Sequence, residues 1–245
     1  MSESDGWSEV AKEWHELWGS FPAPVHAAII ELTRITAGTR VLDVGAGSGE
    51  FVSALLAQNA DAHGVDPAAG MVAIAGPSVV KGDAEHLPFG DIQFDVVTAI
   101  NALQFAEDTM DALAEFARVT KPGGLIAIAN WAEASFNDID AVEKALEGDD
   151  EHDEEDEPDD ELRVEGGLGA LLEDAGLTLV TETLVEAPWH APDDDALVRG
   201  VLLGADPDTQ QEFADAVKAA AEPYKATAGG YVLNNAFRLA IGRVE

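Results

Sequence analysis

The apolar residues of the opening segment recur at intervals of three and four positions, which is the spacing of one helical face. They are Trp7, Val10, Ala11, Trp14, Leu17 and Trp18. A second helix is predicted at about Pro24 to Thr36. Three tryptophans on one helical face indicate packing against the rest of the fold or closure over a pocket.

From position 39 onward, short apolar runs alternate with helical patterns. The predicted strands are "TRVLDV", "AHGVD", "SVVKGD", "QFDVVTAI" and "LIAIANW", and the helices "GEFVSALLAQNA", "AAGMVAIA" and "TMDALAEFARVT" lie among them. A turn, "KPGG", precedes the last of these strands. Short buried strands separated by helices of about 10 to 15 residues indicate a parallel sheet that is covered by helices on both faces.

Beyond Trp131 the alternation is interrupted and then resumes. A helix near Ile139 to Leu146 leads into residues 147–161, of which 12 are acidic, and this density of charge predicts a solvated loop. The helix "GGLGALLEDAG", the strand "LTLVTETLVE", helices at about 194–203 and 209–221 and a closing strand "FRLAIGRV" follow. We expect the last strand to return antiparallel at the sheet edge. The predicted fold class is α/β, with a doubly wound, mostly parallel, Rossmann-like sheet of seven strands.

The stretch "VLDVGAGSGEF", from Val41 to Phe51, ends the first strand in a glycine-rich loop. Such loops lie at the carboxyl edge of a parallel sheet, where open α/β folds bind ligands, and glycine lets a ligand approach the backbone closely. The dinucleotide fingerprint would require its third glycine at position 50, which is Glu50. A carboxylate at this helix start is compatible with a ligand that carries an ammonium group or no phosphate.

Acidic residues end the next two predicted strands at the same edge of the sheet. Asp66 lies 21 residues after Gly45, where a carboxylate can accept hydrogen bonds from ribose hydroxyls. The side chain of Asp83 and the backbone amide of Ala84 match the amino group and a ring nitrogen of adenine. The three strand ends together predict an adenosine-bearing cofactor.

The ordered set "VLDVGAGSGEF", "GVDPAAGM", "GDAEHLPF", "FDVVTAINALQF" and "RVTKPGG" resembles the motifs of class I S-adenosylmethionine-dependent methyltransferases. The similarity is to the small-molecule, ubiquinone/menaquinone-type (methyltransferase domain 11-like) branch, and it spans about Thr39 to Trp131. The resemblance implies S-adenosylmethionine as the cofactor and methyl transfer to a small-molecule acceptor by in-line displacement. The length of 245 residues demands no more than one domain, so we expect a single methyltransferase domain over residues 1–245, with a helical cap at 1–38, a cofactor-binding core at 39–131 and an acceptor-side insertion at 132–245.

The resemblance implies that ten residues hold the cofactor. They are Asp43, Gly45, Ala46, Gly47 and Gly49 for the methionine moiety, Asp66 for the ribose, Met71, Asp83 and Ala84 for the adenine, and Asn101 beside the sulfonium. Two of these assignments have a purely structural alternative. Asp43 can cap a turn, and Met71 can belong to the core.

In this family, the N-terminal helices and the segment between the fifth and sixth strands select the acceptor. The candidates for the acceptor pocket are Trp14, Trp18, Gln104, Phe105 and Trp131. Their aromatic character favours an apolar or planar acceptor.

A general base is needed only for an acceptor that is protonated at the working pH. Among the six histidines, His26 lies in the second predicted helix and His86 in the adenine-loop motif. His190, beside Trp189, is the candidate catalytic or pocket group, although a single histidine is more often a surface or packing residue.

Composition excludes several classes of protein. The chain has 48 acidic and 13 basic residues and a formal net charge of -35, which would repel a nucleic-acid backbone and favours the hypothesis of a salt-rich cytoplasm. It contains no cysteine, so disulfides, thiolate metal sites and cysteine nucleophiles are excluded, and we expect no metal. The acidic N-terminus and the absence of an apolar run of roughly 18 residues predict a soluble, cytoplasmic protein with no membrane partner.

Two alternative functions remain open at this point. A nicotinamide-dependent reductase is disfavoured by Glu50 at the third glycine position, by Asp83 and by the absence of a Tyr-x-x-x-Lys pair. A non-catalytic cofactor-binding protein of the same fold would carry the same binding residues. Among methyltransferases, the lack of cysteine excludes the cytosine-C5 mechanism, and "NALQ" stands where adenine or glutamine amino-methylating enzymes carry Asn/Asp-Pro-Pro-Tyr/Phe.

Overall fold

The computed structural model describes residues 3–147 and 161–245. Two helices open it, α1 (Glu3–Leu17) and α2 (Ala23–Thr33). Pro24 lies in the first turn of α2, where a missing backbone N–H leaves no hydrogen bond unmade, and Arg34 ends the helix with a left-handed φ of 57°. Both predicted N-terminal helices are present, and α2 ends three residues earlier than the pattern indicates.

Strands and helices then alternate as the apolar pattern predicts. They are β1 (Arg40–Val44), α3 (Glu50–Ala57), β2 (Asp61–Asp66), α4 (Ala69–Ala75), β3 (Val79–Lys81), β4 (Phe94–Ile100), α5 (Thr109–Val119) and β5 (Thr120–Trp131). The second half adds α6 (Asp138–Glu147), α7 (Gly167–Asp174), β6 (Thr178–Glu186), β7 (Trp189–Ala191), α8 (Asp194–Val201), α9 (Pro207–Ala220), β8 (Tyr231–Leu233) and β9 (Ala236–Arg243).

Seven of these strands form one sheet in the order β3-β2-β1-β4-β5-β9-β6. The first five strands pair in parallel, and β9 runs antiparallel to both of its neighbours. The predicted fold class is therefore confirmed. Apolar residues that neighbour each other along a strand point to opposite faces, so that Val41 belongs to one buried layer and Leu42 to the other.

The position predicted for the last strand is wrong. β9 runs antiparallel, as expected, but it lies between β5 and β6 rather than at the sheet edge. The reason is visible in burial: seven of the eight residues of β9 are buried, as in a strand covered on both faces, whereas no residue of β6 is buried. The continuous burial of "FRLAIGRV" up to Gly242 is thus the signature of an interior strand.

Two other local predictions need correction. The segment "KPGG" lies inside β5, where the pairing with β4 shifts register after Phe94 and Gly123 has a φ of 77°. β7 and β8 form a separate two-stranded sheet, which three-residue strands are too short to reveal by alternation. The predicted acidic loop falls almost entirely on residues 148–160, outside the described part of the chain.

Within residues 3–147 and 161–245, none of the helices combines the length and the apolar composition that crossing a bilayer requires.

Candidate functional site

The glycine loop between β1 and α3 is fixed in a conformation that its three glycines permit. Gly45, Gly47 and Gly49 have φ values of 70°, 53° and 85°, which side chains rarely adopt. A Cβ at Gly45 would lie 2.3 Å from the Cβ of Ala102, and one at Gly49 would lie 2.8 Å from the Cβ of Ala75. A Cβ at Gly47 would meet nothing within 4 Å, so this residue faces open space.

Asp66, the last residue of β2, is held by two backbone amides. The amide of Gly47 donates to Asp66 Oδ2 and that of Ala68 to Asp66 Oδ1, each over 2.8 Å. Burial raises the pKa of the Asp66 carboxyl, and the two amides oppose that rise. Its carboxylate therefore has one fixed orientation, with a lone pair of each oxygen left for a ligand.

Asp43 lies in β1 beneath the glycine loop. Thr98 Oγ1 donates a hydrogen bond of 2.7 Å to Asp43 Oδ1. The pKa of Asp43 is raised to about 7, and burial is the largest cause. The hydrogen bond from Thr98 opposes this rise, and the negative charges of Asp66 and Glu50 add to it. A ligand cation beside Asp43 would favour its ionised form.

A cavity of about 330 Å³ opens between this edge of the sheet and the helices α1 and α2. The described residues that line it include six carboxylates and neither lysine nor arginine. The carboxylates belong to Asp43, Glu50, Asp66, Asp83, Glu85 and Glu107. The wall therefore repels anions and suits a ligand that carries positive charge.

Glu50 joins α1 to the start of α3. Its Oε1 accepts a hydrogen bond of 2.6 Å from Ser48 Oγ and lies 2.6 Å from His15 Nδ1. The same oxygen lies 2.5 Å from the position that a Cβ on Gly19 would take, so the absence of a side chain at Gly19 makes room for it. The acidic residue that breaks the dinucleotide fingerprint thus holds the N-terminal helix over the glycine loop.

The predicted adenine residues lie at the β3 side of the cavity. Asp83 lines the wall, and its Oδ1 accepts the backbone amide of Glu85 over 2.9 Å. Met71 is a buried residue that also lines the wall, packed with Ala68 and with Trp14 of α1. Both interpretations of Met71, as a core residue and as a cavity residue, therefore hold.

Asn101 follows β4 with a φ of 51°, an uncommon conformation for a residue with a side chain. Its Oδ1 accepts a hydrogen bond of 2.9 Å from Gln104 Nε2. This hydrogen bond fixes which end of the Asn101 amide is the oxygen, and it leaves the amide nitrogen available to the cavity. Gln104 Oε1 is buried and has no partner among the described residues. Gln104 thus orients Asn101 from behind the wall.

Most of the residues predicted for the cofactor line the cavity. They are Asp43, Gly45, Ala46, Gly47, Asp66, Met71, Asp83 and Asn101, and their roles toward a ligand stay predictions. Gly49 and Ala84 do not line it. Gly49 instead caps α3, and Ala84 packs against the second buried layer.

The candidates for the acceptor pocket divide into two groups. Trp14 and Phe105 line the cavity, and Trp7, which the sequence did not single out as a pocket residue, packs edge-to-face on both. Trp18, Gln104 and Trp131 do not line it. Trp18 is buried in the core, where it stacks on Trp189 with ring centroids 4.3 Å apart.

Trp131 forms the layer behind the wall. It stacks on Phe21 and Phe237, each at 5.1 Å between ring centroids, and these two phenylalanines line the cavity. His190 does not line it, because alternation along β7 buries Trp189 and turns His190 outward. The structure therefore places His190, the predicted pocket group, outside this cavity.

The histidine on the cavity wall is His26 of α2, which the sequence pointed to less strongly than His190. Its imidazole stacks on Phe51 of α3, with ring centroids 4.6 Å apart and an angle of 25° between the rings. Burial lowers its pKa to about 4, so the ring is neutral at physiological pH. The helical period of α2 offers a weak signal for it, because His26 is one turn beyond Pro22, another cavity residue.

Comparisons with known proteins agree with this geometry. Residues 42–128, from β1 into β5, match the family described as "Methyltransferase domain". Over 113 residues the chain is 34% identical to a demethylmenaquinone methyltransferase of Renibacterium salmoninarum, covering 44% of this chain and 48% of that protein. Over 125 residues it is 33% identical to a malonyl-[acyl-carrier protein] O-methyltransferase of Yersinia pestis, covering 49% of this chain and 47% of that protein. The chain spans about half the length of these curated relatives.

The whole fold also has solved counterparts. It is similar to a chain from the complex between the Haloferax volcanii Trm112 methyltransferase activator and a methyltransferase candidate, with a TM-score of 0.61, 21% identity and coverage of 100% of this chain and 98% of that chain. At this identity the similarity supports the fold alone.

Proposed function

We propose that the chain is a methyltransferase of the family that residues 42–128 match, and that it transfers a methyl group from S-adenosylmethionine to a small, uncharged, planar acceptor. The family and the fold imply this cofactor, which when bound supplies a methyl carbon activated by a sulfonium leaving group. The observation that carries the proposal is the fixed carboxylate of Asp66 in a cavity lined by six carboxylates and, among described residues, no lysine or arginine.

The charge of the cavity fits the cofactor. S-adenosylmethionine carries a sulfonium and an ammonium group against one carboxylate, so it is a net cation at neutral pH. Asp43, with its pKa near 7, would ionise fully beside the ammonium group, and Gly47 leaves open space where a side chain would otherwise project. Asp66 would accept the ribose hydroxyls with the lone pairs that the amides of Gly47 and Ala68 leave free.

Sheet order separates a nucleoside end of the cavity from an acceptor end. Asp66 and Asp83 follow β2 and β3, on one side of β1. Phe237 belongs to β9, on the other side of β1, and packs on Phe21 with ring centroids 5.5 Å apart. We define the acceptor end by its described wall residues Phe21, Pro22, His26, Phe51 and Phe237.

The acceptor end is aromatic and lacks charged side chains among these five residues. Its rings favour a flat apolar molecule, because aromatic surfaces stack and exclude water. The names of the two relatives differ in this respect: a demethylmenaquinone carries a planar ring system, whereas a malonyl group presents a carboxylate. A cavity without a cation disfavours the carboxylate, so the geometry supports a planar neutral acceptor for this chain.

The chain's contribution to the reaction is alignment and the exclusion of water. Asn101 and the glycine loop, which line the cavity, would border the transfer point, and α1 would cover the nucleoside end through Trp7 and Trp14. Positioning of two ligands in this way contributes about 7 to 11 kcal/mol to lowering a reaction barrier.

The test has two steps. Calorimetric titration with S-adenosylhomocysteine should show one site, and titration with NADH should show none. A methyl-transfer assay then compares 1-naphthol with 1-naphthoate, which matches it in ring system and carries a carboxylate. We expect transfer to the naphthol alone. Failure to bind S-adenosylhomocysteine refutes the proposal, and binding without turnover on any neutral acceptor favours the non-catalytic alternative.

A further inference from the structure

The acceptor end contains one titratable side chain among its described wall residues, His26. Its ring stacks on Phe51, and no hydrogen bond of the imidazole is found within the described part of the chain. His26 is half-buried on the cavity wall, so its ring nitrogens are within reach of a ligand. A ligand hydroxyl that displaces water from this wall can form a hydrogen bond to one of them.

The imidazole of His26 is neutral because it is packed against other side chains, which limit its contact with water. It lies between α2 and the start of α3, against an aromatic ring, and burial is the cause that lowers its pKa. The carboxylates of the same cavity belong to the glycine loop, to its flanking elements and to the nucleoside end. None of them is a cause of the shift at His26.

We propose that His26 accepts the proton of a hydroxyl acceptor, and that the natural acceptor is therefore a planar molecule methylated on a ring hydroxyl. This inference rests on the proposed function and names the acceptor class and the residue that recognises it. His26 would be a catalytic residue in the strict sense, because its ring nitrogen touches the reacting hydroxyl.

The step balances in atoms and charge. The acceptor oxygen forms a bond to the methyl carbon, the carbon–sulfur bond breaks with its electron pair remaining on sulfur, and the hydroxyl proton moves to the His26 ring nitrogen. The imidazolium then releases this proton to water. The positive charge of the sulfonium is thus transferred to the imidazole and leaves as a proton.

A weakly basic imidazole is adequate for this task. A phenolic hydroxyl has a pKa of about 10, so it is not ionised beforehand at neutral pH. As the new carbon–oxygen bond forms, the hydroxyl becomes part of an oxonium ion, which is a strong acid. The pKa of His26, about 4, lies between that of the phenol and that of the oxonium ion. The neutral imidazole can therefore accept the proton while the bond forms.

The experiment compares two uncharged probes that differ in the reacting group, 1-naphthol and 1-naphthylamine, at pH 8. The amine is neutral at this pH and reacts through its free lone pair, so it needs no base, whereas the naphthol needs one. His26→Phe keeps a flat ring against Phe51, and His26→Gln keeps a hydrogen-bond acceptor that does not take a proton. We expect both variants to lower kcat for the naphthol about 100-fold and to change kcat for the amine less than threefold. His190→Phe, on the outer face of β7, is the matched control and should change neither.

Binding supplies an independent readout. The affinity of each variant for S-adenosylhomocysteine should stay within twofold of the wild type, and 1-naphthol should bind the wild-type complex more tightly than the His26→Phe complex. A tenfold loss of S-adenosylhomocysteine affinity would assign His26 to the cofactor carboxylate and overturn the inference. Equal losses for both probes, or no binding of 1-naphthol to the wild type, would also overturn it, while intact cofactor binding would leave the proposed function standing.

Discussion

Thr98 donates a 2.7 Å hydrogen bond to the carboxylate of Asp43 directly beneath the glycine loop. This is a buried acid with one neutral partner, and burial holds its pKa near 7. The pair joins two adjacent strands, β1 and β4, at the floor of the cavity. Burial of an ionisable carboxyl lowers the stability of the folded state, and a neutral side chain would avoid this loss. A buried acid with a shifted pKa in a cavity is the pattern expected of a functional group.

Asp43→Asn should make the unfolding free energy less dependent on pH. The carboxyl has a pKa of about 7 when folded and about 3.9 when unfolded, so the native state binds more protons between these values and the wild type loses stability as pH rises through this window. The variant lacks this loss. We expect it to be more stable than the wild type at pH 8 by about 2 to 4 kcal/mol, with the difference shrinking toward zero near pH 4. Urea titrations across pH 4 to 8 measure this, and a constant difference would contradict it.

Asp66→Ala should weaken the binding of S-adenosylhomocysteine by about 1.5 to 3 kcal/mol, the scale of hydrogen bonds to a charged group. The amides of Gly47 and Ala68 would also lose their acceptor. Asp61→Ala is the matched control, since Asp61 begins the same strand but its half-exposed side chain pairs with Arg40 and His63. Calorimetry that finds equal affinities for the two variants would remove Asp66 from the site.

Gly47→Ala and Gly45→Ala should separate binding from folding. Both residues have positive φ, so each substitution costs about 1 to 2 kcal/mol of stability through the backbone. At Gly45 the new methyl group would also collide with Ala102, whereas at Gly47, which lines the cavity, it would meet no atom within 4 Å. We expect Gly45→Ala to lower the melting temperature by the larger amount, and Gly47→Ala to lose S-adenosylhomocysteine affinity at least tenfold while staying folded. A Gly47→Ala variant with wild-type affinity would contradict this assignment.

The net charge of -35 predicts a strong response to salt. Added KCl screens the repulsion among carboxylates, with a Debye length of about 3 Å at 1 M. The melting temperature should therefore rise steadily from 0.1 to 3 M KCl. A melting temperature that does not change with salt would remove the basis for the hypothesis of a salt-rich cytoplasm.

The parts of the fold and the site that the sequence predicts are those set by local patterns. Gly45, Gly47 and Asp66 follow buried strands at fixed spacing, and parallel strands bring their carboxyl ends to one edge. The neighbours of the last strand could not be predicted, because an apolar run records burial on both faces and not which strands adjoin it.

The acceptor end was predicted less well, because it depends on how α1 and α2 pack over the sheet. Trp14 and Trp18 share one helical face in the sequence, yet the chain turns after Leu17, so Trp14 meets the cavity and Trp18 stacks in the core. The sequence indicates His26 only through its position in a helix, because the environment of its imidazole is set by stacking on Phe51 of another helix. Such contacts between distant segments leave no periodic trace.

Among the strands of the described residues, β6 hydrogen-bonds only to β9. It therefore has no place to dock until β9, which comes later along the chain, has paired with β5. Phe237 belongs to β9, so the pairing that closes the sheet also places one wall residue of the cavity. A chain with β9 unpaired would therefore lack both the edge on which β6 pairs and the Phe237 side of the cavity wall.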